Sequence, residues 1–263
     1  MRIILSPAKK MNTDTESLKI QGMPVFLSQT EDILKWMQSK SLGELQKLWK
    51  CNDRIAEQNV ERLEHMDLRS GLTPALCSYE GIAYQYMAPT VFEDGQIDYV
   101  QEHLRILSAF YGVVKPLDGV TPYRLEMQAK ASISGHKDLY ELWGSRLYEE
   151  IRDGSGVIIN LASKEYSKCI EKYLTDRDTY ITCTFGEMSG DKFVTKGTYA
   201  KMARGEMVRF MAENQIENPE EIRQFDRLGY AFRDDLSNDT EYVFERQAHS
   251  NIFSEKGLLE IGQ

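Results

Sequence analysis

Apolar and polar positions along the chain sort into short apolar runs, two-residue alternation and stretches with helical spacing. Arg2 to Leu5 is a brief apolar run stopped by Ser6-Pro7, which predicts a buried strand followed by the basic loop Ala8-Lys9-Lys10. Residues 11–27 carry little periodicity. From Ser28 to about Met66 the spacing is helical. Ser28 with Glu31 fits a capping box, Ile33, Leu34 and Met37 continue an apolar face, and Ser41 to Leu45 interrupts it. A second helix carries Leu45, Leu48 and Trp49, and a third begins near Asn52 with Ile55, Ala56, Val60 and Leu63. Ala75 to Glu80 reads as a strand.

Val100, His103, Leu104, Leu107 and Tyr111 fall at i, i+3, i+4, i+7 and i+11, which predicts an amphipathic helix ending at Gly112. Arg105 lies off that stripe and is expected outside the core. Beyond it, Pro116 and Pro122 stiffen a loop that presents Lys115, Asp118, Arg124 and Glu126. Leu139, Leu142, Trp143, Leu147 and Ile151 mark the buried face of a further helix. Asp153-Gly154-Ser155-Gly156 breaks the chain, Val157 to Ile159 reads as a buried strand, and Ser163 is placed to cap the next helix, with Lys164, Lys168 and Lys172 in one cationic row. Tyr180 to Phe185 and Lys192 to Thr198 alternate and predict a hairpin around Gly186 to Asp191. The helix over 198–213 puts Met202, Ala203, Met207, Phe210 and Met211 on one side. Lys201, Arg204 and Arg209 occupy an arc of about 140° opposite, at 100° per residue. Gly229 to Phe232 and Glu241 to Glu245 predict strands. The fold class is mixed α/β (α+β), one compact domain over 1–246 with a tail over 247–263.

Composition narrows the function. The chain has 263 residues, a hydrophobic fraction of 41% and a charged fraction of 28%, ordinary for a soluble globular protein. No apolar run approaches the roughly 18 residues of a membrane helix, and the N-terminus does not read as a signal peptide, so a cytoplasmic protein is expected. Cys51, Cys77, Cys169 and Cys183 form no C-x-x-C pair and the four histidines are dispersed, so no metal or cofactor is assigned. The net charge of −9 argues against bulk electrostatic binding of nucleic acid, so an anion site requires a local basic patch. No phosphate loop, no G-x-G-x-x-G and no G-x-S-x-G elbow is present, and no reaction class is selected. The candidates for anion or nucleic-acid binding are Lys9, Arg105, Lys115, Arg124, Lys164, Lys168, Lys201 and Arg204, with Asp118 and Glu126 as acid–base candidates.

Several segments in order resemble the YaaA family of bacterial proteins. They are Ser6-Pro7-Ala8-Lys9, His103-Leu104-Arg105, Tyr111-Gly112-Val113, Lys115-Pro116-Leu117-Asp118 and Pro122-Tyr123-Arg124-Leu125-Glu126-Met127. Asp138-Leu139-Tyr140 with Trp143, Asn160-Leu161-Ala162-Ser163 with Glu165-Tyr166, and Ala203-Arg204-Gly205 with Met207 and Arg209-Phe210 complete the match. Lys115 stands where the family usually has arginine, and Gln128 where it usually has glycine. The resemblance implies a family-specific mixed α/β fold with a positively charged cleft and a cytosolic role in resistance to hydrogen peroxide. That role runs through lower free iron and less oxidative DNA damage. The resemblance also implies DNA binding with a helix-hairpin-helix element. Because the body is acidic, structured or distorted DNA is the expected partner, and a monomer is the favoured state. The residues read by themselves leave an alternative open, an enzyme or binding protein for a small phosphate- or carboxylate-bearing ligand in the same cleft.

Overall fold

The first strand sets the plan of the molecule. In β1 (Arg2–Leu5), Ile3 and Ile4 are fully buried although they point to opposite faces. A strand buried on both sides belongs in the middle of a parallel sheet covered by helices. The computed structural model describes residues 1–14 and 18–247, and β1 is central in it. After β2 (Lys10–Met11) come three helices, α1 (Leu27–Gln38), α2 (Leu42–Trp49) and α3 (Asp53–Glu64). Next are β3 (Thr73–Pro74), α4 (Ala75–Ser78), β4 (Tyr79–Glu80), α5 (Ile82–Met87) and α6 (Asp94–His103). The middle of the chain gives β5 (Leu104–Ser108), β6 (Gly112–Val114), β7 (Gly119–Val120), α7 (Leu139–Trp143) and α8 (Arg146–Ile151). The last part gives β8 (Val157–Asn160), α9 (Lys164–Glu171), β9 (Thr179–Ser189), β10 (Lys192–Val194), α10 (Gly197–Glu213), β11 (Tyr230–Phe232) and β12 (Glu241–Arg246).

The main sheet runs β11-β12-β9-β8-β1-β5-β6, with β10 hairpinned onto β9. The five strands from β12 to β5 are parallel, and antiparallel β11 and β6 close the two edges. In register, Ile3 lies opposite Leu104 on one side and Ile159 on the other. The chain is therefore one mixed α/β domain with helices packed on its sheet. Among the described residues no helix is long and apolar enough to cross a membrane. The expected tail after Gln247 lies outside the described residues.

Several expectations change. The helix leading to Tyr111 stops at His103, and Leu104 to Ser108 is a strand in which all five residues are buried. Between β1 and β6 both faces are covered, so alternation disappears and the apolar residues mimic a helical stripe. Arg105 is consequently in the core, only 4% exposed. Gly112 does adopt positive φ, +77°, in the β5–β6 hairpin; a Cβ there would lie 2.8 Å from the Trp143 ring. The capping box forms at Ser41 and Glu44, opening α2, and not at Ser28 and Glu31. Both pairs have the S-x-x-E spacing. Around Ser28, packing of Phe26 on Trp143, with ring centroids 5.6 Å apart, accompanies a start at Leu27. Ala75 to Ser78 is helical, with only Tyr79-Glu80 extended. Gly144, at φ +55°, divides the helix over 139–151 into α7 and α8. Strand β9 runs through Gly186 to Ser189, leaving Gly190-Asp191 as the turn.

A candidate anion-binding site at the strand ends

From β1 the chain leads to β5 on one side, and from β8 to β9 on the other. Neighbouring parallel strands whose connections diverge leave a crevice beyond their carboxyl ends, where ligands bind in open α/β sheets. Here that crevice is a cavity of about 380 Å³.

Its floor is built by the two strand ends. The N–H of Leu161 bonds to the Ile4 carbonyl at 2.9 Å, and the Asn160 carboxamide accepts the Ala162 N–H at 2.9 Å, which bends the chain off β8. The Ser6 hydroxyl accepts the Ser163 N–H at 2.8 Å and lies 3.2 Å from the Ser163 hydroxyl. Tyr84 of α5 donates to the Ser6 carbonyl at 3.0 Å. The loop after β1 is thereby fixed to the starts of both α9 and α5. Gly81 makes the last approach possible, since a Cβ there would lie 2.9 Å from that of Ala8.

One wall comes from Tyr123 to Glu126. The Tyr123 hydroxyl is 2.7 Å from Ser108 Oγ and 3.0 Å from the Tyr79 hydroxyl. Ser108 Oγ in turn accepts the N–H groups of Phe110 and Tyr111 in the β5–β6 turn. This buried network ties the proline-braced loop to the sheet and points Arg124 and Glu126 into the cavity. Arg124 donates weakly, at 3.5 Å, to the carbonyl of Trp49 at the end of α2, so the turn between α2 and α3 adjoins the site.

The opposite wall is α10. Gly205 packs against α5 so closely that a Cβ would sit 1.8 Å from the Ala83 carbonyl oxygen. Only glycine allows that backbone-to-backbone crossing. It brings Lys201 and Arg204 to the cavity.

Five cations, Lys9, Lys10, Arg124, Lys201 and Arg204, line the cavity with three carboxylates, Glu80, Glu126 and Glu165. Two carboxylates are engaged: Lys9 pairs with Glu126 at 2.9 Å and Lys10 with Glu80 at 2.5 Å. Arg204 has neither hydrogen bond nor ion pair among the described residues, and Nε of both Arg124 and Arg204 is buried without a partner. Burial pushes the Arg204 guanidinium below the usual arginine range, with the Cys183 thiol opposing that shift. A buried cation without a counter-charge is costly, and an anion entering the cavity relieves that cost.

Four of the eight expected basic residues thus converge, Lys9, Arg124, Lys201 and Arg204, together with Glu126. The other four do not line the cavity. Arg105 is spent on the carbonyls of Leu104 and Gln101, at 2.8 and 3.2 Å, and burial pushes it down to about 10. Lys115 is exposed on its turn, Lys164 pairs with Glu171 at 2.5 Å and Lys168 is exposed on α9. Asp118 is buried and accepts the Lys115 N–H at 2.8 Å, and burial raises its pKa. It closes a turn and does not face the cavity. Sequence reading did not select Lys10, Ser163, Tyr84 or Gly205 for the site. Of these, Gly205 left a signal, a glycine inside a strong helical pattern.

The family model described as peroxide stress protein YaaA matches residues 1–236. A protein of Agathobacter rectalis named UPF0246 protein is 67% identical over 247 residues, covering 94% of this chain and 99% of the relative. One of the same name from Lachnoclostridium phytofermentans is 55% identical over 97% of this chain and all of the relative. Another from Pediococcus pentosaceus is 50% identical over 93% of this chain and 97% of the relative. On a match that takes in every strand of the parallel core up to β11 and the whole cavity, the chain belongs to the peroxide stress protein YaaA family.

Proposed function

We propose that this protein serves the peroxide-stress response by binding DNA, with the basic residues of the strand-end cavity contacting phosphates and limiting oxidative damage. The observation that carries this reading is the convergence of Lys9, Arg124, Lys201 and Arg204 on one opening in a chain of net charge −9, with neither arginine paired to a carboxylate among the described residues. The adjoining α2–α3 pair supports it, because Lys50 is exposed in the turn beside Arg124. That turn contains no glycine, Gly43 lying inside α2, so its grip on a phosphate would use the helical pair without the glycine-rich hairpin of the standard motif. Lowered free iron, which the family resemblance implies, enters as a consequence of this role and not as a metal site.

Binding to duplex, single-stranded and junction DNA across a salt series tests the reading. Three to four neutralised phosphates give a log–log slope of about −3 on duplex, since each contributes about −0.9. An Arg124→Glu/Arg204→Glu variant with an unchanged far-ultraviolet spectrum loses the binding. Weak binding that ignores those charges overturns the proposal.

A second reading has its own support. Arg204 sits within a small cavity, which fits a free phosphate- or carboxylate-bearing molecule, with Glu126 as the carboxylate placed for proton transfer. Displacement of DNA by such a molecule at micromolar concentration favours this reading.

A further inference from the structure

The cavity lining offers two chemically different surfaces. Arg124 and Arg204, from facing elements, supply the cationic one, each with a buried Nε that has no partner among the described residues. The other is apolar and aromatic, made by Tyr84, Tyr123 and Tyr166 with Ile82, Leu125 and Leu161. Two of the three tyrosine hydroxyls are already engaged: Tyr84 donates to the Ser6 carbonyl, and Tyr123 is held by Ser108 and Tyr79. What these side chains offer a ligand is ring surface. Between the walls lie the Ser6 and Ser163 hydroxyls.

Size and chemistry together restrict the occupant. A volume of about 380 Å³ is at the low end of small-molecule sites, which span roughly 300–1,000 Å³, and it cannot admit a duplex. Inorganic phosphate would answer the arginines and leave the ring wall wet. An apolar molecule would leave two guanidinium groups unsatisfied. A ligand that meets both walls carries an anionic group next to a flat ring.

We propose that the cavity takes one nucleotide unit, its phosphate on Arg124 and Arg204 and its base against the tyrosine wall. This rests on the phosphate-binding reading above and adds what fills the interior. The unit has two sources, a free mononucleotide or a nucleotide extruded from a bound strand. Extrusion costs the unstacking of one base, least at a mismatched or damaged one. Stacking on aromatic side chains offsets part of that cost. An extruding site would therefore select lesions of the kind peroxide produces.

The test has two arms on the full chain. Calorimetry compares deoxyadenosine monophosphate, ribose 5-phosphate and inorganic phosphate. Fluorescence follows 2-aminopurine, paired or mismatched, in a duplex at saturating protein, with duplex binding itself read separately by anisotropy. Mononucleotide binding at least tenfold tighter than ribose 5-phosphate supports the proposal with a free source. A severalfold rise in 2-aminopurine fluorescence, larger at the mismatch, supports it with an extruded source. Either signal falls at least tenfold in Ile82→Trp, which fills the cavity, and in Arg204→Gln, so the assignment does not depend on one variant folding. Duplex binding with no fluorescence rise and no preference for the mononucleotide overturns the proposal and leaves the DNA reading standing. Mononucleotide binding with no duplex binding overturns the DNA reading and leaves the cavity assignment intact.

Discussion

Arginines in two parts of this molecule are treated in opposite ways. At the far end of α10 and along β11 and β12, Arg227, Arg233 and Arg246 each have a carboxylate. Arg227 pairs with both Glu206 and Glu213 and lies over the Phe210 ring, Arg233 pairs with Asp235 and Glu245, and Arg246 pairs with Glu187 and lies over the Tyr199 ring. At the strand-end cavity Arg124 and Arg204 have none among the described residues, although Glu126 and Glu165 line the same space. Glu126 is held by Lys9, and Glu165 accepts the Gln128 N–H at 3.2 Å. Paired arginines stitch elements together. Unpaired ones, half-buried in a depression, raise the energy of the empty site and lower that of an anion-filled one. Local charge imbalance is thus a better guide to the site than the net charge of the chain.

The comparison breaks most severely at Gly205. Gly205→Val forces a side chain into the Ala83 carbonyl and separates α10 from α5. The expected loss is about 3 kcal/mol or more, at the upper end of overpacking costs, read as a lowered urea midpoint. An unchanged midpoint would mean that the close crossing does not hold Arg204 in place.

Charge reversal at the unpaired arginine comes next. Arg204→Glu should weaken DNA binding at least tenfold, about 1.4 kcal/mol, while the thermal midpoint holds or rises because an uncompensated buried cation is gone. A large drop in midpoint would place Arg204 among the structural arginines. The mirror-image experiment is Arg227→Ala. It strands Glu206, leaves Glu213 with Arg209 alone and removes a ring contact, so stability should fall by about 1–2 kcal/mol with DNA affinity unchanged. Loss of affinity there would erase the distinction.

The smallest effect concerns Asp153, another fully engaged group. Its partial burial alone would raise its pKa, but hydrogen bonds from Ser155 and the N-terminal ammonium, 3.1 Å away, hold it at about 2. A depressed folded-state pKa contributes stability above the ordinary carboxylate pKa, and that contribution fades as pH falls from about 4 to about 2. After allowance for solvent screening it is worth about 1 kcal/mol. Asp153→Asn should cost that much at pH 7 and progressively less as pH falls through about 2 in acid-unfolding curves.

The elements that sequence placed well are those whose environment is simple. Val157 to Ile159 is a short buried run, the third helix opens near Asn52, and the helix over 198–213 forms as its apolar spacing predicts. Failures cluster where tertiary burial overrides a local period. Leu104 to Ser108 is covered on both faces, so a strand carried a helical stripe and Arg105 was swept into the core. Two identical S-x-x-E spacings, at Ser28 and Ser41, gave one capping box, because a box needs the chain to enter the helix at that residue.

The sequence by itself determined the class of fold, the positions of most strands and helices, the family, and the residue types of the site. Ser6 to Lys9, Arg124 to Glu126, and Lys201 with Arg204 could be named because strand ends, braced loops and helix faces are local properties. Tertiary structure alone decided which cations share one cavity. That depends on β1 and β8 lying side by side while their connections diverge, and on Gly205 letting α10 touch α5. Neither juxtaposition has a local period to betray it, since both arise from contacts between segments far apart in the chain.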